Sequence, residues 1–360
     1  MGISQVARGI ALACLMASGL GWLQTTFAQQ WEMLSTGSES SFRAIHALDA
    51  DKAWVCGSQG TILRTVDAGK TWTRVMIPEL QDEAKGKLEF RSLHAWTEQE
   101  AIVATAGQPC AIYKTTDGGS RWERVYSNSN LNAFVDGMKF FDAQNGFAVG
   151  DPIDGIWMLL QTKDRGASWQ SVASPGLKAK EGEAAFAASN SCLLVDSKDS
   201  FWFGTGGSGP VGLVHRYDAT PDLNRPMFAT SEVTTMPSNA SSGLFSLAID
   251  SSQKKLIAVG GDYQQVDLAR GHNAMNESPT AKDQVWRAAT GKSPRGFRSA
   301  VVYASKYKLP WICVGPNGSD WSIDGSAWDG LSDIGFHALS VASDGTVWAS
   351  GSAGRVARLR

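Results

Sequence analysis

The chain is poor in the residues that build metal and redox centres. Its 360 residues hold five cysteines and five histidines, and no two cysteines stand at Cys-x-x-Cys spacing. That excludes a zinc ribbon or a dithiol redox motif. An excess of charge is also missing: 33 Lys and Arg face 35 Asp and Glu, with no long basic run. Such a chain lacks the electrostatic footprint of a nucleic-acid binder. Beyond the first 28 residues it has no long hydrophobic stretch, so no transmembrane segment is predicted.

Those 28 residues have a different character. Arg8 is their only charged side chain, residues 10–23 are apolar, and "TTFAQQ" follows, with Thr26 and Ala28 at the spacing a signal peptidase reads. The apolar run is too short to span a bilayer, and it continues well past Cys14, against a lipid-anchor reading. A signal peptide over 1–28, cleaved after Ala28, is expected, with residues 29–360 exported to the periplasm or secreted. Four cysteines remain there: Cys56, Cys110, Cys192 and Cys313. They could form two bridges in an oxidising compartment. Cys56 and Cys313, however, lie in similar apolar runs, "AWVCG" and "PWICVG", which points to buried thiols in separate copies of one unit.

Repetition dominates the rest of the chain. "TVDAGKTW" at 65–72 returns as "TTDGGSRW" at 115–122, "TKDRGASW" at 162–169 and a shortened "SIDGSAW" at 322–328. Around these boxes recur an alternating strand ("FRAIHAL", "FRSLHAW", "VDGMKFF", "LFSLAID", "FRSAVVY", "FHALSVA") and a β-rich run ending in Gly ("KAWVCG", "NGFAVG", "SFWFGTGG", "KLIAVGG", "PWICVG"). A third strand leads into the box and a fourth starts near its Trp. Period-2 alternation with Gly-containing turns predicts an all-β protein of four-stranded antiparallel units. Seven units of about 47 residues fit the length of propeller blades. The last unit ends after three strands, whereas "WEML" at 31–34 is a fourth strand with no unit before it. The expectation is a seven-bladed β-propeller closed by residues 31–34, which removes open sheet edges.

Each part of the box has a folding task. Asp67, Asp117, Asp164 and Asp324 can accept hydrogen bonds from the turn backbone, and a Gly permits the required angle. Trp72, Trp122 and Trp169 can bury their rings beside the next blade. The boxes resemble those of the bacterial-neuraminidase-repeat (Asp-box) propellers, a sialidase-like superfamily. With "FAVGDPIDG", "AVGGDY", "FRSAVVY" and "VGPNGSDWSIDG", the chain is similar to exported bacterial relatives of the photosystem II stability and assembly factors. That resemblance implies a seven-bladed propeller and, in the photosynthetic branch, a non-catalytic chaperone for a membrane-protein precursor.

Propeller geometry gathers the starts of the first strands and the Gly-ended turns at one mouth and sends the boxes to the other. Reading one inner-strand position round the ring gives Arg43, Arg91, Asp136, an unclear residue near Phe186, Phe245, Arg298 and His337. Convergence of three arginines would suit an anion; alternatively each pairs with an acid such as Asp136. Asp151, Asp154, Asp262, Tyr263, Asn317 and Asp320 add polar groups to the same mouth. His46 and His94 share one position in adjacent strands and are expected to hydrogen-bond between blades. "GTGGSG" at 204–209 lacks the Lys-Ser/Thr ending of a phosphate loop, so no nucleotide, metal or other cofactor is expected. The polar insertion at 263–284 reads as a lid, a partner surface or a loose loop, and 217–232 is a similar expansion.

Two functions compete. The first is a monomeric, non-catalytic scaffold that engages a protein, a peptide or a small anionic ligand or glycan through the arginine-lined face. The second is a sialidase-like glycoside hydrolase using Arg43, Arg91 and Arg298 with Tyr263 and Asp262 or Asp151. Against the second, "FRAI" lacks the Pro of the sialidase motif and no Glu stands beside a mouth Tyr. Its chemistry also needs two carboxyl groups at about 5–9.5 Å.

Overall fold

The computed structural model describes residues 29–80, 87–172, 177–209, 212–219, 227–236, 238–250, 252, 255–268, 273–276 and 285–360. The expected signal at 1–28, and the parts of the two expansions at 220–226, 269–272 and 277–284, lie outside the described residues. Within the described residues the regular structure is all strand apart from one short turn of 3-10 helix, Pro78–Leu80. Among the described residues no helix is long and apolar enough to cross a membrane.

Strands follow one another as antiparallel meanders. Phe42–Ala47, Ala53–Gly57, Ile62–Thr65 and Thr73–Val75 form the first. Phe90–Ala95, Ala101–Thr105, Cys110–Thr115 and Glu123–Asn128 form the second, and Gly137–Phe140, Gly146–Ile153, Ile156–Thr162 and Gln170–Ser171 the third. The fourth runs Leu193–Ser197, Ser200–Gly207, Gly212–Asp218 and Phe228–Val233; the fifth begins with Asn239–Asp250 and Lys255–Asp262. These two join into one larger sheet, because Gly206 and Gly207 pair with Gly243 and Asn239. The sixth starts at Ala300–Tyr303. In the last, Ala338–Val341, Val347–Ser350 and Val356–Leu359 take Trp31–Leu34 as their fourth strand, with Trp31 opposite Leu359. Trp31 also donates from Nε1 to Ser319 Oγ at 2.9 Å.

Each first strand lies beside the first strand of the next meander, and Ala338–Val341 lies beside Phe42–Ala47. The core is divided accordingly. Trp54, Leu93 and Val103 fill the gap between first and second meanders, and Val55, Ala338 and Trp348 that between last and first. Sheets packed on both faces need apolar residues in succession rather than in alternation. That is why the second strands "AWVCG" and "WICVG" are buried throughout. All four described cysteines are buried free thiols.

The boxes form tight reversals between third and fourth strands. Asp67, Asp117 and Asp164 each accept from the backbone N–H four residues on, at 2.9 Å. In the shortened box, Asp324 accepts from Ser326 N–H at 2.8 Å. The hydroxyl and amide of Thr71 hold the Asp67 carboxyl down at about 2. Gly166 sits at φ 77°, and a Cβ there would lie 2.7 Å from Ile102 Cδ1.

One expectation is corrected here. Trp72, Trp122 and Trp169 pack on the preceding meander, not the next: Trp72 meets Trp348 of the last meander at 6.5 Å, Trp122 packs on the cluster that holds Trp54 of the first, and Trp169 shares a cluster with Ile102 and Ile112 of the second. The reversal folds back over the sheet before it, as the contact of Gly166 with Ile102 also shows.

Candidate functional site

At the end where the first strands begin lies a cavity of about 490 Å³, lined by residues from every meander. Its walls differ in character around the axis. Arg43 and Arg91, with His337 beside them, form a basic side on which the two guanidiniums carry the charge; Asp136 and Asp151 come next; Phe186, Phe245, Phe297 and Tyr263 complete it as an aromatic side.

Arg43 is half-buried, and none of the described residues accepts a hydrogen bond from its guanidinium; Glu89, bonded to Arg91, is the carboxylate whose charge reaches it. Burial, and then the like charge of Arg91, lower its pKa from the ordinary value. Arg91 pairs with Glu89 at 2.9 Å and donates to the Ala187 carbonyl at 3.2 Å. His337 is buried, with Nε2 2.8 Å from Ser352 Oγ; burial and the charge of Arg43 lower its pKa to about 3, so it is neutral.

Arg298 is elsewhere, and the three-arginine convergence is not formed. Its side chain is fully buried. Nε donates to Asp320 Oδ2 at 2.7 Å, and Nη1 to Asn317 Oδ1 at 2.7 Å. Arg295 reaches the same Asp320 at 2.7 Å. A buried carboxylate on the adjacent hairpin draws this guanidinium away from two like charges.

The two acids are tuned upward. Asp136 is buried, and Oδ2 has no hydrogen-bond partner among the described residues. Burial, then the neighbouring Asp151, push its carboxyl well above the usual range, while Arg91 and the Ala187 amide oppose. Burial also raises Asp151, against a hydrogen bond from the Ala185 amide at 3.1 Å. Asp262, by contrast, is a turn former: it accepts from Ser241 Oγ at 2.7 Å and the Gln264 amide at 2.9 Å, and against burial these keep its carboxyl low. Tyr263 is 46% exposed beside Phe245, ring centroids 6.2 Å apart. Asp154 takes the left-handed φ 53° of a tight turn.

The segment 185–191 carries the largest departure from the expected pattern. A first strand was expected near Phe186; it lies instead at Leu193–Ser197. Phe186 stacks on Phe245 at 4.0 Å, and Phe245 meets Phe297 edge-on at 4.7 Å. Below them, Asn190 Nδ2 donates to Leu93 O at 2.9 Å in the second meander, while Ser189 Oγ donates to Ser299 O at 2.6 Å beside the sixth. Met138 N–H donates to Asn190 Oδ1 at 2.8 Å. A chain bonded to both sides must cross the axis, so the cavity has a floor. The signal in the sequence was "AAFAAS", a run of small residues where other units carry an alternating strand.

At the far end of the axis, His46 and His94 pack ring to edge at 4.3 Å. They were expected to hydrogen-bond between blades. Neither ring has a hydrogen bond to a described residue; each fills the space beside the other instead. Burial lowers His46 to about 3.

With this geometry in hand, the chain can be set against known proteins. Residues 23–136 match the family described as Photosynthesis system II assembly factor YCF48. The photosystem II stability/assembly factor HCF136 of Oryza sativa subsp. japonica is 25% identical over 131 residues, 36% of this chain and 30% of that protein. The photosystem II assembly lipoprotein Ycf48 of Synechococcus sp. (strain CC9902) is 23% identical over 150 residues, 41% of each. The chain thus matches less than half the length of these curated relatives. Among solved structures, YCF48 from Cyanidioschyzon merolae superposes with a TM-score of 0.65 at 14% identity, covering 92% of this chain and 99% of that one. YCF48 bound to D1 peptide gives 0.60 at 15%, covering 91% and 94%. The WD40 beta propeller domain of Doa1 gives 0.58 at 12%, covering 92% and 97%. These likenesses establish a β-propeller fold.

Proposed function

We propose that the chain is an exported, non-catalytic scaffold of the photosystem II assembly factor-like group. Its blades number seven, the ring is closed by Trp31–Leu34, and it binds a protein or peptide at the cavity mouth. The pairing of Trp31 with Leu359 and the contact of Ala338–Val341 with Phe42–Ala47 support the closed ring. The peptide reading draws on a structural neighbour, YCF48, whose structure is described as bound to D1 peptide. The boxed aspartates are taken as architectural, since turn donors satisfy them.

The observation that carries the binding reading is Arg43, a half-buried guanidinium without a protein partner, set beside Arg91 in an open cavity. Two neighbouring, partly buried cations favour an anionic group. No observation favours the glycosidase: Arg298 is withdrawn, and among the described residues no Glu lines the cavity with Tyr263. The test is crosslinking capture from the exported fraction of the host. Wild-type protein is expected to retain a discrete set of partners that the Arg43→Ala/Arg91→Ala variant loses. Equal capture by both removes the site.

A further inference from the structure

Three features of the cavity stand in a fixed order around the axis, and each is incomplete. The Arg43 guanidinium has no acceptor among the described residues. Asp136 is 1% exposed, yet its Oδ2 lacks a donor. Phe186, Phe245 and Phe297 present a cluster of rings, 4.0 and 4.7 Å apart, to an open space. A lone anion would satisfy only the first. A lone cation would satisfy only the second. One small molecule satisfies all three: a carboxylate, an ammonium and an apolar group on a single carbon.

We propose that the cavity takes a free α-amino acid with an aromatic or large aliphatic side chain. Its carboxylate sits between Arg43 and Arg91, its ammonium at Asp136 with Asp151, and its side chain against the phenylalanines. The proposal rests on the reading of this cavity as a ligand site and narrows it. The backbone of Ala187 links the two polar sectors: its carbonyl accepts from Arg91 and its N–H donates to Asp136. A volume of about 490 Å³ holds such a molecule with a few waters. The floor at 189–191 makes the site blind-ended, so ligand enters and leaves by one mouth. Three different contacts on one carbon also discriminate handedness.

The test is titration calorimetry of the purified protein with four probes: L-phenylalanine, D-phenylalanine, N-acetyl-L-phenylalanine and L-phenylalaninamide. L-Phenylalanine is expected to bind at least 10-fold more tightly than each of the others. Asp136→Asn should abolish that advantage over N-acetyl-L-phenylalanine, with Asp151→Asn as a second variant should the first fail to fold. Arg43→Ala should lose L-phenylalanine and N-acetyl-L-phenylalanine together. If N-acetyl-L-phenylalanine binds as well as L-phenylalanine, ammonium recognition is overturned while the anion site stands. Equal binding of the two enantiomers overturns the three-point arrangement. Absence of heat with all four probes overturns the proposal, and partner capture then decides independently whether the scaffold reading survives.

Discussion

At one rim Asp164 accepts from the Ser168 amide at 2.9 Å and from its hydroxyl at 2.6 Å, and these bonds hold its carboxyl low against partial burial. At the other, Asp136 is buried with Oδ2 unpartnered, and burial beside Asp151 pushes its carboxyl up. The residue type is the same and the energetics are opposite. Aspartates of the first kind are complete within the fold, and removing one affects only the fold. Aspartates of the second kind cost the folded protein stability and mark a candidate site. The arginines divide in the same way: Arg298 is paired and sealed in, whereas Arg43 is neither.

This contrast can be broken by substitution, the largest effect coming from Arg298→Ala. It leaves the buried Asp320 with Arg295 alone and is expected to cost about 3 kcal/mol, lowering Tm by roughly 4 °C in a calorimetric melt. Partner capture per folded molecule should be retained; lost capture at an unchanged Tm would put Arg298 back at the mouth. Gly166→Ala comes next. The new Cβ must displace Ile102 and accept a φ of 77°, at about 2 kcal/mol. Urea unfolding would reveal it as a lower midpoint, and no change there would deny the close approach of the box to the preceding sheet.

Asp136→Asn is smaller and of opposite sign. A carboxyl whose folded pKa is raised holds its proton more tightly in the folded state. Wild-type stability therefore falls as pH rises from the unfolded value, near 4, through the folded one. The variant has no such loss. Its Tm should match wild type near pH 4 and exceed it progressively as the pH rises above that. A gap that is constant with pH would show that Asp136 does not titrate in this range.

How much of this was legible beforehand depends on the range of the interactions. The box turns close within four residues, so Asp67, Thr71 and Gly69 are readable as a string. Strands appear as alternating or continuous apolar runs. The pairing of Trp31–Leu34 with the last strand was inferable because one unit was a strand short. The state of Arg298 was not, because its fate depends on Asp320, 22 residues later on another strand. Residues 185–191 were opaque for a similar reason. Their partners Leu93 and Ser299 lie about a hundred residues away on either side, and small residues carry no periodicity to read. The direction of the tryptophans was missed because period and spacing do not tell which neighbouring sheet a turn leans on.

The most direct test of the contrast is the melting temperature of Arg43→Ala against wild type, without ligand. A guanidinium held beside Arg91 with no partner contributes nothing to the fold, so Tm should be unchanged or slightly higher. A fall of more than about 2 °C, comparable to 1 kcal/mol or more, would mean that Arg43 is a structural strut and that the mouth is built for folding after all.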